Sequence, residues 1–295
     1  MIEFVSGISV VCFAASYLVA LACEVSRLWF RSGLRGAAMV GFMAAGLLAH
    51  SLFLLWRGVN EPAMPLSSAF DWYLLAAWVL AGGSLWLTVS NPRTPVGLFM
   101  LPLVLGLIGG SQLSSRDPFP QSPATQIWGA IHGGFNLAAS VAVAIGAISG
   151  LMWLIQAGRL TRKQAPLQGF RMPSLEKLSH TCTRTLLIAA WTAAAGFFSG
   201  LVLNAVNRQR GLLDTVPWND PVVLRMGGLV AWLVVAAAMS RAVRCRPDAA
   251  RTRAVLSVVS LCVLVISIVW GLFGATRHGV PPVEIARPTV RGALP

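Results

Sequence analysis

Eight stretches of about 20 apolar residues run along the chain, each closed by charge, proline or a polar cluster. A helix of that length crosses the hydrocarbon core of a bilayer. The expected spans are roughly 4–23, 37–56, 70–90, 95–113, 127–156, 184–206, 222–242 and 254–276. The fourth is loosened by Pro102, Gly106, Gly109 and Gly110, which membrane helices tolerate when neighbours satisfy the freed backbone. The fifth continues past the bilayer toward Arg159. Only 11% of the 295 residues are charged and 56% are hydrophobic, whereas a soluble domain carries about 25% charged residues. That deficit excludes a soluble enzyme, a disordered chain and a secreted disulfide scaffold. The expected fold is all-α: a polytopic transmembrane bundle forming one integral membrane domain over residues 1–295, with no polar linker long enough to split it.

The formal net charge of +13 reads as nucleic-acid affinity only until the charges are placed. The loops between spans 1–2, 3–4, 5–6 and 7–8, with Arg184 and Arg241 at the span ends beside them, hold 15 of the 23 Lys and Arg and 3 of the 10 acids. The other face, with both tails, holds the remaining 8 basic and 7 acidic residues. Cytoplasmic loops carry the Lys/Arg excess, so the +12 face is expected inside and both termini outside. The high basicity is then a topology signal with attraction to the anionic headgroups of the lipid bilayer, and no nucleic-acid partner is expected. The first span follows Met-Ile-Glu with no basic n-region and no obvious small-residue cleavage site, and is expected to be retained.

Cys12, Cys23, Cys182, Cys245 and Cys262 form no CxxC pair and no metal spacing with histidine. They read as small packing residues. Without CxxCH the chain carries no covalent haem of its own, and it has no Walker loop, HExxH or GxSxG. The pairs Gly82-Gly83, Gly109-Gly110, Gly133-Gly134 and Gly227-Gly228 lie in apolar spans, where close helix packing accounts for them.

Four histidines remain, and an ionisable or metal-binding group inside a span is a functional candidate by default. His132 lies in the first turns of span 5, and His278 just past the end of span 8. Both reach the outer interface. Two imidazoles at one depth on different helices can supply both axial ligands to one haem iron, or they can be polar interface residues without a ligand. His50 lies within span 2, about 9 Å below its outer end at 1.5 Å per residue. It either bonds a neighbouring helix or marks a haem or proton site. His180, in the basic segment before span 6, reads as an interfacial residue. The loop between spans 6 and 7 brings Trp218 beside Asp220-Pro221, while Trp56, Trp72 and Trp128 fall near the same interface. An aromatic belt explains such tryptophans. Indoles can equally stack on a porphyrin, with Arg208, Arg210 and Arg277 meeting its propionates.

The order of these pieces resembles the cytochrome c assembly family: the haem-handling CcsA and CcmC proteins with the related HemX and YpjD groups. The matching stretches are Pro173-Ser-Leu-Glu176 through Arg184, then Gly196-Phe-Phe-Ser-Gly200 to Asn204. Upstream, Leu48-Ala-His50-Ser-Leu52 with Arg57 and Pro65-Leu-Ser-Ser68 look like the family's early histidine segment. The likeness covers most of residues 37–280. It implies that His132 and His278 are axial ligands to a transiently held, non-covalent haem b at the outer surface. His50 matches an intramembrane histidine thought to hold haem in transit. Trp218-Asn-Asp220-Pro221 stands where the family has its Trp-rich block. That block is reduced to one Trp, Asn219 interrupts it, and Val222, Val223, Leu224 and Arg225 replace the family's acidic and Trp positions. A second intramembrane histidine would fall near Ser240.

The resemblance implies a haem-binding protein of the bacterial inner membrane, active in c-type cytochrome biogenesis. Trp128, Trp218, Asp220 and Pro221 would wall the pocket, and no residue acts as a catalytic group of its own. At most the chain is part of a haem lyase system. Its partners would be a CcsB-like or other assembly subunit and apocytochrome c, since no loop is large enough to hold an apocytochrome alone. The alternative is a HemX-like adaptor that regulates tetrapyrrole synthesis through its basic 157–184 loop without delivering haem. A small-solute transporter is a third class, against which the lack of paired intramembrane charges argues.

Overall fold

The described residues of the computed structural model, 9–27, 33–60, 68–92, 94–117, 123–163, 172–209, 217–243 and 246–273, contain eight helices and no strand. These are α1 (Val10–Ser26), α2 (Gly33–Asn60), α3 (Ala69–Ser90), α4 (Val96–Leu113), α5 (Pro123–Thr161), α6 (Leu175–Gln209), α7 (Pro221–Ala242) and α8 (Ala249–Phe273). Seven are long and apolar enough to cross a membrane. The exception is α1. Its 17 residues extend about 26 Å, short of the roughly 30 Å hydrocarbon core. Large apolar side chains point away from the protein, as at Trp191, which is 76% exposed in mid-helix. A surface of that kind needs lipid against it.

Short polar signals set the helix starts. Ser68 caps α3 in a reciprocal box: its hydroxyl accepts the Asp71 N–H, and the Asp71 carboxylate accepts the Ser68 N–H. Asp220 caps α7 by accepting the Val222 N–H at 2.9 Å, and Pro221 takes the first helical position, where no N–H is needed. Span 6 corrects an expected boundary. Its helix begins at Leu175 rather than 184, so His180 and Arg184 are helical. The first turns are amphipathic: Leu178 and Cys182 are buried while Lys177, His180 and Arg184 are exposed. Further along, Ile188 and Trp191 occupy the exposed side instead.

The helices associate in two groups of four. In the first, α1 packs on α2 and α4, and α3 on α2 and α4, around Phe13, Tyr17, Met43, Leu74 and Leu101. In the second, α5 packs on α6 and α8, and α7 on the same two, around Leu186, Ala189, Leu233 and Ala236. The long α5 serves both. Ala144, Ile148 and Met152 enter the first core while Ala139, Ala142 and Val143 enter the second, and α5 also contacts α3. At Gly150 a Cβ would stand 2.6 Å from the Ala254 carbonyl oxygen, so only glycine lets α5 and α8 approach there.

Ionic contacts tie the ends. Glu24 of α1 is 1% exposed and meets Arg27 at 2.7 Å, and Arg27 also donates to the Pro92 carbonyl at 2.9 Å. At the opposite end Arg57 of α2 pairs with Asp71 of α3. Near the Glu24 end, Arg253 of α8 donates to the Ser240 carbonyl at 3.1 Å and to Ser179 Oγ at 3.3 Å, joining α6, α7 and α8. That contact occupies the neighbourhood of Ser240, where a second intramembrane histidine would fall.

Candidate functional site

His132 lies in the first third of α5, on the helix face shared by Trp128, Asn136 and Ser140 at i±4 spacing. Its ring enters the interface with α6, opposite Gly196 and Gly200. This GxxxG face is small enough to receive a ring. A Cβ at Gly200 would come within 2.9 Å of His132 Nδ1 and Cε1, and one at Gly196 within 2.8 Å of Asn136 Oδ1. Nδ1 lies 2.7 Å from the Gly196 carbonyl oxygen. A carbonyl only accepts, so Nδ1 carries the proton and donates it. In the neutral ring Nε2 is then the acceptor, and it receives the Asn136 amide at 3.1 Å. Ser199 Oγ donates to the same Gly196 oxygen at 2.8 Å.

Both ring nitrogens of His132 are therefore hydrogen-bonded. Histidines that bind metals donate their second ring nitrogen to a carbonyl or carboxylate, which fixes the tautomer and the ring's direction. Here the anchoring nitrogen is held by backbone, and the lone pair is engaged only by one side-chain amide. Among the described residues no group of three or more His, Cys, Asp or Glu is gathered as a metal cage.

The Trp72 ring of α3 lies against Gly133, the residue after His132, where an added Cβ would overlap the indole. Tyr73, next along α3, turns instead toward Gly110 of α4. Trp128 is half-buried. Trp218, 53% exposed, precedes α7 and stands under the Arg208 guanidinium at 5.9 Å from the ring centroid. Asp220 and Pro221 start α7, so both have a structural duty at the place where a pocket wall was expected. His278, Arg210 and Arg277 lie outside the described residues.

His50 belongs to the first four-helix group, apart from this cluster. The helix that carries it continues to Asn60, which puts it about 15 Å along the axis from the helix end. It is fully buried. Phe13 of α1 stacks flat on its ring, with centroids 4.1 Å apart and planes within 4°. The Tyr17 hydroxyl lies 3.4 Å from Nδ1, and Nε2 has no partner. The neighbouring-helix bond open to it from sequence is therefore present, at the long end of hydrogen-bond distance. His180 is exposed on α6.

Sequence reasoning did not single out Asn136, Phe13 or Tyr17. Asn136 could have been found, because i+4 from a histidine is the next residue on its helix face. Phe13 and Tyr17 carry no such signal, since aromatic residues in an apolar span are ordinary packing. No protein-family model, curated protein or solved structure matches the chain.

Proposed function

We propose that the chain is a multi-pass protein of the bacterial inner membrane that holds haem for c-type cytochrome assembly. Eight spans, counting the short α1, would place both termini outside and the +12 face in the cytoplasm. The observation that carries the reading is the His132 ring: its Nδ1 is anchored on the Gly196 carbonyl, which leaves the Nε2 lone pair as the ligand position. Imidazole donors would suit a haem iron, which His132 and His278 would hold together.

In this reading His132 would hold the iron through Nε2, with Asn136 turned aside. The Gly196 carbonyl holds the imidazole in one tautomer and raises its basicity. Gly200 leaves room for the ring. Trp128 and Trp218 offer indole faces, and Asp220-Pro221 fixes the start of α7 beneath Trp218. Haem, when bound, supplies the vinyl groups to which the two thiols of an apocytochrome c add. The chain contributes position and a fixed environment. A CcsB-like subunit or another assembly protein would present the acceptor.

The exposed Lys177, His180 and Arg184 on the extended first turns of α6 favour a second reading, a HemX-like adaptor acting on tetrapyrrole synthesis by protein contact. Deletion of the chain from its host separates the two. Loss of haem-stained c-type cytochromes at normal tetrapyrrole levels is expected for the assembly role. Altered tetrapyrrole levels with intact cytochromes would replace it with the adaptor role.

A further inference from the structure

Arg225 stands in the second turn of α7, at the same end of the bundle as His132, and no sequence motif assigned it a task. A cation inside a span is costly and is kept where something pairs with it. Its Nε is buried without a hydrogen-bond partner. Among the described residues no carboxylate lies within ion-pair distance of it. Asp220 and Tyr73 are near enough to act on it electrostatically, but the Asp220 carboxylate caps α7 and Tyr73 is a neutral phenol that engages Ser114.

The guanidinium has a place prepared for it. It lies against Gly271 of α8, where a Cβ would come within 2.9 Å of Cζ and 3.0 Å of Nη2. Any side chain at 271 would evict it. Consecutive residues of α3 lie between this notch and the histidine: Trp72 rests on Gly133 beside His132, and Tyr73, on the side of Gly110, is near enough to act on Arg225 electrostatically. The imidazole and the cation thus flank one dipeptide. Together they form a lone-pair donor for a metal and a half-buried fork for an anion.

We propose that Arg225 binds a carboxylate of the ligand held at His132; this rests on the haem reading, in which the carboxylate is a propionate. A guanidinium takes a carboxylate through two parallel N–H···O bonds, the strongest pairing open to it. The position is one where the resembling family carries acidic or Trp residues, so the cation is a property of this chain.

The test compares haem with its dimethyl ester, in which both propionates are capped, by titration into purified full-length protein. Wild type is expected to bind haem about tenfold or more tightly than the ester, the range of a hydrogen bond to a charged group. Arg225→Gln should lower haem binding to the level of the ester and leave the ester unchanged. Arg225→Lys should keep part of the preference. The ratio is read within each variant, so partial misfolding moves both ligands together. His132→Ala should weaken both equally. Equal affinities in wild type, or a preference that survives Arg225→Gln, would overturn the proposal while leaving the haem reading intact. Loss of co-purifying phospholipid phosphorus in Arg225→Gln at an unchanged ratio would assign the site to a lipid phosphate and overturn it too. A wild-type protein that binds neither ligand would remove the haem reading and this proposal with it.

Discussion

His132 Nδ1 donates to the Gly196 carbonyl across 2.7 Å between α5 and α6. One residue on α5 thereby has its tautomer set by the backbone of another helix. The same ring's Nε2 is engaged by Asn136, a side chain that can rotate away. Removing that competitor should help the ligand. Asn136→Ala is expected to raise haem affinity about two- to tenfold, the worth of one neutral hydrogen bond. Equilibrium titration followed by absorbance checks it, and an unchanged or weaker affinity would place iron elsewhere.

Gly200 leaves the space that the imidazole fills. Gly200→Ala would set a methyl 2.9 Å from Nδ1, so the ring must tilt off the Gly196 carbonyl. Haem occupancy should fall about tenfold at unchanged helix content by circular dichroism. Gly134→Ala, with nothing within 4 Å of the added Cβ, is the matched control and should alter neither quantity.

Helix contact can be tested apart from haem. Gly150→Ala meets the Ala254 carbonyl oxygen at 2.6 Å. Backbone cannot rotate out of the way, so a loss of about 1–3 kcal/mol is expected, the usual cost of overpacking. Gly228→Ala points into open space and should be neutral or slightly stabilising. Thermal unfolding of both variants in one detergent makes the comparison. Equal midpoints would mean that α5 and α8 are not in close contact.

The apolar windows and their punctuation made the fold legible, because membrane helices must satisfy their own backbone and so declare themselves by length. Boundaries were legible where a cap marks them, as at Asp220-Pro221. The start of α6 was not, since Lys177, His180 and Arg184 read as loop charge although Leu178 and Cys182 anchor the opposite side of the same helix. His132 stood out as a rare polar residue, whereas Gly196 and Gly200 entered only as part of a stretch that resembles a family. That the ring and the glycines meet is a fact of tertiary packing between residues 64 apart in the chain, and no local pattern encodes it. Arg225 was visible only as a departure from a family pattern; its notch at Gly271 depends on how α7 and α8 pack.

The Glu24–Arg27 pair should behave as a buried ion pair. Arg27→Met alone leaves an uncompensated carboxylate and should cost about 3–5 kcal/mol, whereas Arg27→Met with Glu24→Gln should recover most of that loss. A double-mutant cycle on unfolding midpoints measures the coupling. Two single losses that simply add would show that the pair is exposed to water.

Axial ligation can be read directly from the absorption and electron paramagnetic resonance spectra of the purified chain loaded with haem. Wild type is expected to give a low-spin, six-coordinate iron in which two imidazoles are bound. His132→Ala and His278→Ala should each convert it to a high-spin, five-coordinate form, with exogenous imidazole restoring the original spectrum. A protein that stays colourless with haem, or a low-spin spectrum that survives His132→Ala, would contradict the assignment of His132 as the iron ligand.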